Sequence, residues 1–146
     1  MKRHLSLINI FFFCFFSTNL IGSNQDEWNI YFENDTVKIE YTYQLCDFSS
    51  TADQEVVIFK FTNLTNKNIS VKYKANIWHN DICINCDQNE EGFYTIQIAS
   101  NEVVLFDCHD KWNDEVIFSG FVSIKEKTNY KSLTKFELNK ITIVYE

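Results

Sequence analysis

The sequence predicts an all-β fold, an immunoglobulin-like antiparallel β-sandwich of about seven strands behind an N-terminal signal peptide. Three observations carry this expectation. Apolar residues recur with a period of two through most of the chain, and no stretch of about ten residues holds a helical apolar period. Polar clusters rich in Asn, Asp and Ser separate the apolar segments at short, near-regular intervals. A small barrel is the alternative way to close such strands.

The elements follow in chain order. Residues 1–23 read as the signal peptide: Lys2, Arg3 and His4 form a basic head, Leu5 to Ile21 an apolar run, and Gly22-Ser23 a small-residue exit. Polar Ser6, Asn9, Ser17, Thr18 and Asn19 interrupt that run, and no Lys/Arg cluster follows it, which argues against a membrane anchor. Residues 24–36 read as a tail or an added edge strand, and residues 37–146 as the sandwich domain.

Val37, Ile39, Tyr41, Tyr43 and Leu45 alternate with polar residues and predict a first strand with one buried face. Glu55 to Thr62 is apolar on both faces through Val56, Val57, Ile58, Phe59 and Phe61, and predicts a central strand covered on both sides. Ile69 to Ile77 alternates again, followed by Tyr94 to Ile98, Val103 to Phe106, Val116 to Ile124 and Phe136 to Tyr145. Apolar parity changes between Leu138 and Ile141, which predicts a β-bulge near Asn139-Lys140.

Composition removes several function classes. The chain has 146 residues, 20 acidic against 13 basic, and a formal charge of −7. Without Lys2 and Arg3, the remaining 11 basic and 20 acidic side chains leave −9 over 123 residues. An acidic chain with no basic stripe is unsuited to nucleic acid, whose phosphates require clustered Lys and Arg. With three glycines there is almost nothing from which to build a phosphate-cradling loop.

Cys46, Cys83, Cys86 and Cys108 remain after the expected cleavage, an even number in an exported chain, where oxidising conditions favour disulfides. Four cysteines allow three pairings; Cys46–Cys108 with Cys83–Cys86 is the favoured set, the other two remaining open. Cys14 lies inside the apolar run, away from the position of a lipid-acceptor cysteine. If successive strands run antiparallel, the first, third and fifth all exit at one end. That pole would gather Cys46, Trp78, His79, Cys83, Cys86, Cys108, His109 and Trp112.

Three chemistries compete for this cluster. Two disulfides stapling the loops is the leading one. A metal site is the second: His79, Cys83, Cys86, Cys108 and His109 offer ligands suited to zinc or copper(I), although a single Cys-x-x-Cys supplies only half of a zinc knuckle pair. Thiol redox catalysis at Cys83 and Cys86 is the third, and the absence of a helix start, with Asp81 and Asp87 nearby, weighs against it. No Gly-x-Ser-x-Gly elbow or His-Glu-x-x-His motif occurs, and Glu90-Glu91 and Asp107-Asp110 read as solvated turn residues. The glycosylation patterns at Asn34, Asn63 and Asn68 equally suit β-turns.

The run Val37-Lys38-Ile39-Glu40-Tyr41 with Cys46, the segment Val57 to Thr65, Trp78 with Cys83-x-x-Cys86, Cys108, and Leu133 to Leu138 together resemble small uncharacterised exported proteins of Bacteroidetes-type bacteria. The resemblance implies export and a β-sandwich, and brings no activity or catalytic residue. The expected protein is therefore secreted or periplasmic, non-enzymatic and without a cofactor, acting as a binding or structural module. Its contact surface would lie at the cysteine-rich pole around Trp78, Asp110 and Trp112. Its expected partner is a protein or cell-surface ligand, basic or cationic in character, with no nucleic acid and no stable membrane anchor. A periplasmic metal carrier and an inhibitor of an extracytoplasmic hydrolase are the alternatives.

Overall fold

Nine strands account for the regular structure in a computed structural model, which describes residues 27–47, 53–87, 92–107, 115–122 and 131–146. The expected signal peptide, together with Cys108, His109, Asp110 and Trp112, lies outside the described residues. The strands are β1 (Asn29–Glu33), β2 (Val37–Cys46), β3 (Gln54–Asn63), β4 (Ile69–His79), β5 (Ile82–Cys83), β6 (Phe93–Ile98), β7 (Val103–Phe106), β8 (Ile117–Phe121) and β9 (Leu133–Tyr145). No helix occurs among the described residues.

They form two antiparallel sheets. The first runs β1-β2-β3-β7, with β8 also on β3; the second runs β5-β4-β6, with β9 on β4. The tail that precedes the first expected strand is thus an edge strand, joined to β2 by the Asn34 side chain, which accepts from the amides of Thr36 and Val37 (2.9 Å each). As its two-sided apolar pattern predicts, β3 is central, flanked by β2 along its whole length and by β7 and β8 on the other edge.

The core lies between the sheets. Val37, Ile39, Val57, Phe59 and Phe61 of the first face Ile69, Val71, Tyr73 and Ala75 of the second. Aromatic rings bridge the layers: Phe61 stacks on Tyr73 at 5.7 Å, and Phe136 meets Phe59 edge-on at 5.7 Å and Tyr41 at 5.2 Å. Each such ring contributes roughly 2–3 kcal/mol by leaving water. The expected bulge in β9 is present, since Lys72 and Lys74 pair with Thr142 and Asn139, so Tyr73 opposes two residues. Lys140 takes the strain with φ 55°.

Alternation fails in one place. Tyr43 and Leu45, expected to be buried, are 46% and 61% exposed, while Thr42 and Cys46 on the opposite face are buried. The cause is a second, smaller cluster on the outer face of the first sheet, where Cys46, Val56 and Ile58 pack with Trp28 and Val116. Burial of the even face over this half of β2 reverses the parity that its apolar residues announce.

Strand direction also departs from simple alternation. β7 pairs with Phe59 to Thr62 and β8 with Gln54 to Val57, both antiparallel to β3. They are therefore two collinear halves of one edge, separated by residues 107–116, and they run the same way. β5 and β6 divide the free edge of β4 in the same manner, against Trp78-His79 and Ile69 to Lys74.

Candidate functional site

His79 at the end of β4 reaches the Phe118 carbonyl, and Phe118 pairs with Val56, two residues from Gln54, the partner of Cys46. The ends of β2 and β4 therefore lie at one end of the sandwich. The expected gathering holds for these two and for Trp78. Cys83, the last residue of β5, pairs with Trp78, and its disulfide holds Cys86 beside it, so both lie on the edge of the second sheet next to that end. β7 is antiparallel to β3 and so runs toward the same end as β2, stopping at Phe106, level with Phe59; Cys108 and His109 beyond it lie outside the described residues. A strand broken into two collinear pieces looks like two strands in a linear pattern, so β7 and β8 run the same way where simple alternation expects opposite directions.

Cys83 and Cys86 form a disulfide, with Cα atoms 5.7 Å apart. Enclosed by that ring, Asn85 is 8% exposed and turned inward. Its Oδ1 accepts the Ile77 amide at 2.9 Å and its Nδ2 donates to the Ala75 carbonyl at 2.7 Å. These backbone groups lie in the stretch of β4 that neither β5 nor β6 covers, so the carboxamide acts as a substitute peptide group in the ladder. The Ile84 amide donates to the Ile77 carbonyl (2.9 Å), and the Ala75 amide donates to the Gly92 carbonyl (2.8 Å). Lys74, 8% exposed, donates through Nζ to the Cys86 carbonyl at 3.1 Å. Gly92 is required: φ is +79°, and a Cβ there would lie 2.7 Å from the Ala75 carbonyl oxygen and 2.8 Å from Asn85 Nδ2.

The approach to this edge is a hairpin turn at Asn80-Asp81, both left-handed at φ 49° and 66°, as a type I′ connection demands. His79, just before it, is buried; its Nε2 lies 3.1 Å from the Phe118 carbonyl, which fixes that nitrogen as the donor, and its ring meets Phe118 edge-on at 6.0 Å. Nδ1 has no partner among the described residues. Thus His79 ties the end of the second sheet to β8 of the first. Trp78 points to the outer face, where the Lys135 ammonium covers its ring at 4.6 Å.

Cys46 is disulfide-bonded as well, and its partner lies outside the described residues. On the same outer face, Glu40 takes Lys38 and Lys60, each at 2.9 Å, and Lys60 also lies 4.4 Å over the Trp28 ring. Burial pushes the Glu40 carboxyl upward, but hydrogen bonds from the two ammonium groups outweigh this and hold it below the usual value. Burial, helped by the nearby Tyr94 and Glu115, pushes the Tyr73 hydroxyl far up.

Among the described residues, no three His, Cys, Asp or Glu side chains converge in a way that could hold a metal ion. The disulfide consumes the two thiols that were the centre of the metal alternative. Asn85, Lys74 and Gly92 are the residues that sequence reasoning did not single out. A small polar residue inside the Cys-x-x-Cys ring, followed by a lone glycine before the next strand, was the available signal.

Comparison with known proteins adds no assignment: no family model matches the chain, and no curated protein or solved structure is significantly similar to it.

Proposed function

We propose that this is an exported, disulfide-stabilised β-sandwich that works by binding or as a structural module, without catalysing a reaction. The observation that carries this reading is that the Cys-x-x-Cys segment is built into the sheet: the disulfide encloses an asparagine that completes the β4 ladder. The other reactive groups near it are similarly engaged. His79 holds Phe118, and Glu55 accepts the Ser119 hydroxyl at 2.7 Å. Such engagement suits a scaffold for loops more than an active centre.

The proposed contact surface comprises the loops 46–54, 79–91 and 107–114, with Trp78, Asp110 and Trp112 as candidate contacts. The partner is a protein or cell-surface ligand of basic character, as the acidity of the chain favours. The second disulfide is proposed as Cys46–Cys108: Cys46 is bonded, Cys83 and Cys86 satisfy each other, and Cys14 belongs to the segment expected to be removed on export. The immunoglobulin-like part of the reading is narrower. Its support is an interlocked arrangement in which β3 and β4 cross between sheets beside β8 and β9. The adjacent order β1-β2-β3 in the first sheet differs from the constant-type order.

Intact mass after alkylation under native conditions tests the scaffold. Two unreactive disulfides are expected; four reactive thiols with bound zinc would replace this reading with the metal carrier. Affinity capture with Asp110→Asn/Trp112→Ala then tests the surface, and an unchanged set of partners would remove it.

A further inference from the structure

The Cys83–Cys86 bond does more than close a loop. It joins residues three apart, on the free edge of the second sheet, and both cysteines are only partly buried. Ile82 and Ile84 beside them are 70% and 46% exposed. Cys46, the other disulfide-bonded cysteine described, is 2% exposed within an apolar cluster. An attacking thiolate must reach a sulfur directly, so access separates the two bonds strongly.

We propose that Cys83–Cys86 is a reductively labile modification site, whose opening by a dithiol uncovers the backbone of β4 at Ala75 to Ile77. A thiolate of the dithiol attacks Cys83 Sγ, the Cys83–Cys86 bond breaks, and Cys86 leaves as the thiolate. The direction follows from the surroundings. The Lys74 ammonium is held at the Cys86 carbonyl, 3.1 Å away, whereas Cys83 Sγ faces the Asn85 carboxamide oxygen at 3.9 Å. Positive charge near Cys86 favours its departure, and the amide oxygen disfavours charge on Cys83. The second thiol of the reductant then attacks its own sulfur in the mixed disulfide and releases Cys83. The reductant becomes a disulfide, two electrons pass to the protein, and two protons end on Cys83 and Cys86.

The structural consequence is local. With the ring open, Asn85 is no longer held between two fixed neighbours, and the segment 82–87 loses its only covalent closure. Its hold on β4 is then non-covalent: the β5 pairing at Trp78 and His79, the Lys74 ammonium on the Cys86 carbonyl, and at the gap the bonds of Asn85 with Ile77 and Ala75 and of Ile84 with Ile77. The remainder of β4 keeps its ladder with β9 on the other edge, and from Ile69 to Lys74 with β6. Reduction therefore exposes a short, unpaired length of strand edge while the sandwich stays folded, which is a template for pairing with another chain.

The test is a dithiothreitol titration of the purified full-length protein, with alkylation read by peptide mass and amide exchange read by NMR. Cys83 and Cys86 should become alkylated at a dithiothreitol concentration about tenfold or more below that needed for Cys46. At that point the Ile77 and Ile84 amides should exchange about tenfold or more faster, while Val71 and Tyr73 stay protected. Cys83→Ser/Cys86→Ser should exchange fast at Ile77 with or without reductant. Co-reduction of Cys83–Cys86 with Cys46, or opening without a change at Ile77, would overturn the proposal; so would a double variant as protected as the oxidised protein.

Discussion

The Asn85 carboxamide supplies an acceptor to Ile77 N–H and a donor to Ala75 C=O, in a stretch where no neighbouring strand can do so. Asn85→Ala leaves both backbone groups unmatched in a buried place, and should lower stability by about 2–4 kcal/mol in urea unfolding. Gly92→Ala should cost about 2 kcal/mol or more, because it combines a left-handed φ with a close approach to Ala75 and Asn85. Tyr73 gives the opposite sign. Its hydroxyl is buried with no partner among the described residues, so Tyr73→Phe should be neutral or stabilise by up to about 1 kcal/mol. Glu40 makes the molecule sensitive to acid. Its folded value lies below the ordinary 4.5, so its contribution is present at neutral pH and is lost as pH falls through the folded value. Thermal unfolding should show Glu40→Gln less stable than the parent at about pH 7, with the gap closing by about pH 3.

At the scale of the element, β9 is a 13-residue edge strand that must be protected from unwanted pairing. Two devices do this. Tyr31 from β1 accepts the Leu138 amide through its hydroxyl at 2.7 Å, and the bulge at Lys140 interrupts the regular edge. The Lys140 bulge is held at positive φ by a residue with a Cβ, so Lys140→Gly should raise stability by about 1 kcal/mol and Lys140→Val lower it by a similar amount. Denaturation midpoints of the two variants check the pair. The bulge was legible because apolar parity shifts between Leu138 and Ile141, and side chains on a sheet must keep facing the core. The Tyr31 cap was not legible, since it joins residues 107 apart in sequence through the stacking of one sheet edge over another.

Across the whole molecule, both sheets share one device: a free edge strand is broken and its two halves resume in line. Residues 84–92 leave between β5 and β6, and residues 107–116 between β7 and β8. The Cys83–Cys86 disulfide gives the first of these breaks a covalent tie at the sheet edge. In the chain-entropy model the short Cys83–Cys86 ring is worth about 2 kcal/mol and a Cys46–Cys108 loop about 4. Removing Cys46 should therefore destabilise the fold more than Cys83→Ser/Cys86→Ser, as guanidinium unfolding would report.

What the sequence determined by itself was local and periodic: the strands β2, β3, β4, β6, β7, β8 and β9, the central place of β3, the bulge, and the turns. Each follows from side chains that must alternate between core and solvent within a few residues of one another. Only the tertiary structure decided that β7 and β8 are one interrupted edge, that Cys46 and Thr42 face a second cluster, and that Asn85 stands in for a strand. Those facts depend on which segment lies beside which, and a hydrogen bond from a carboxamide to a distant backbone leaves no period in the chain. The Cys-x-x-Cys segment, which reads as a loop in the chain, belongs to the sheet because Asn85 completes the pairing of β4.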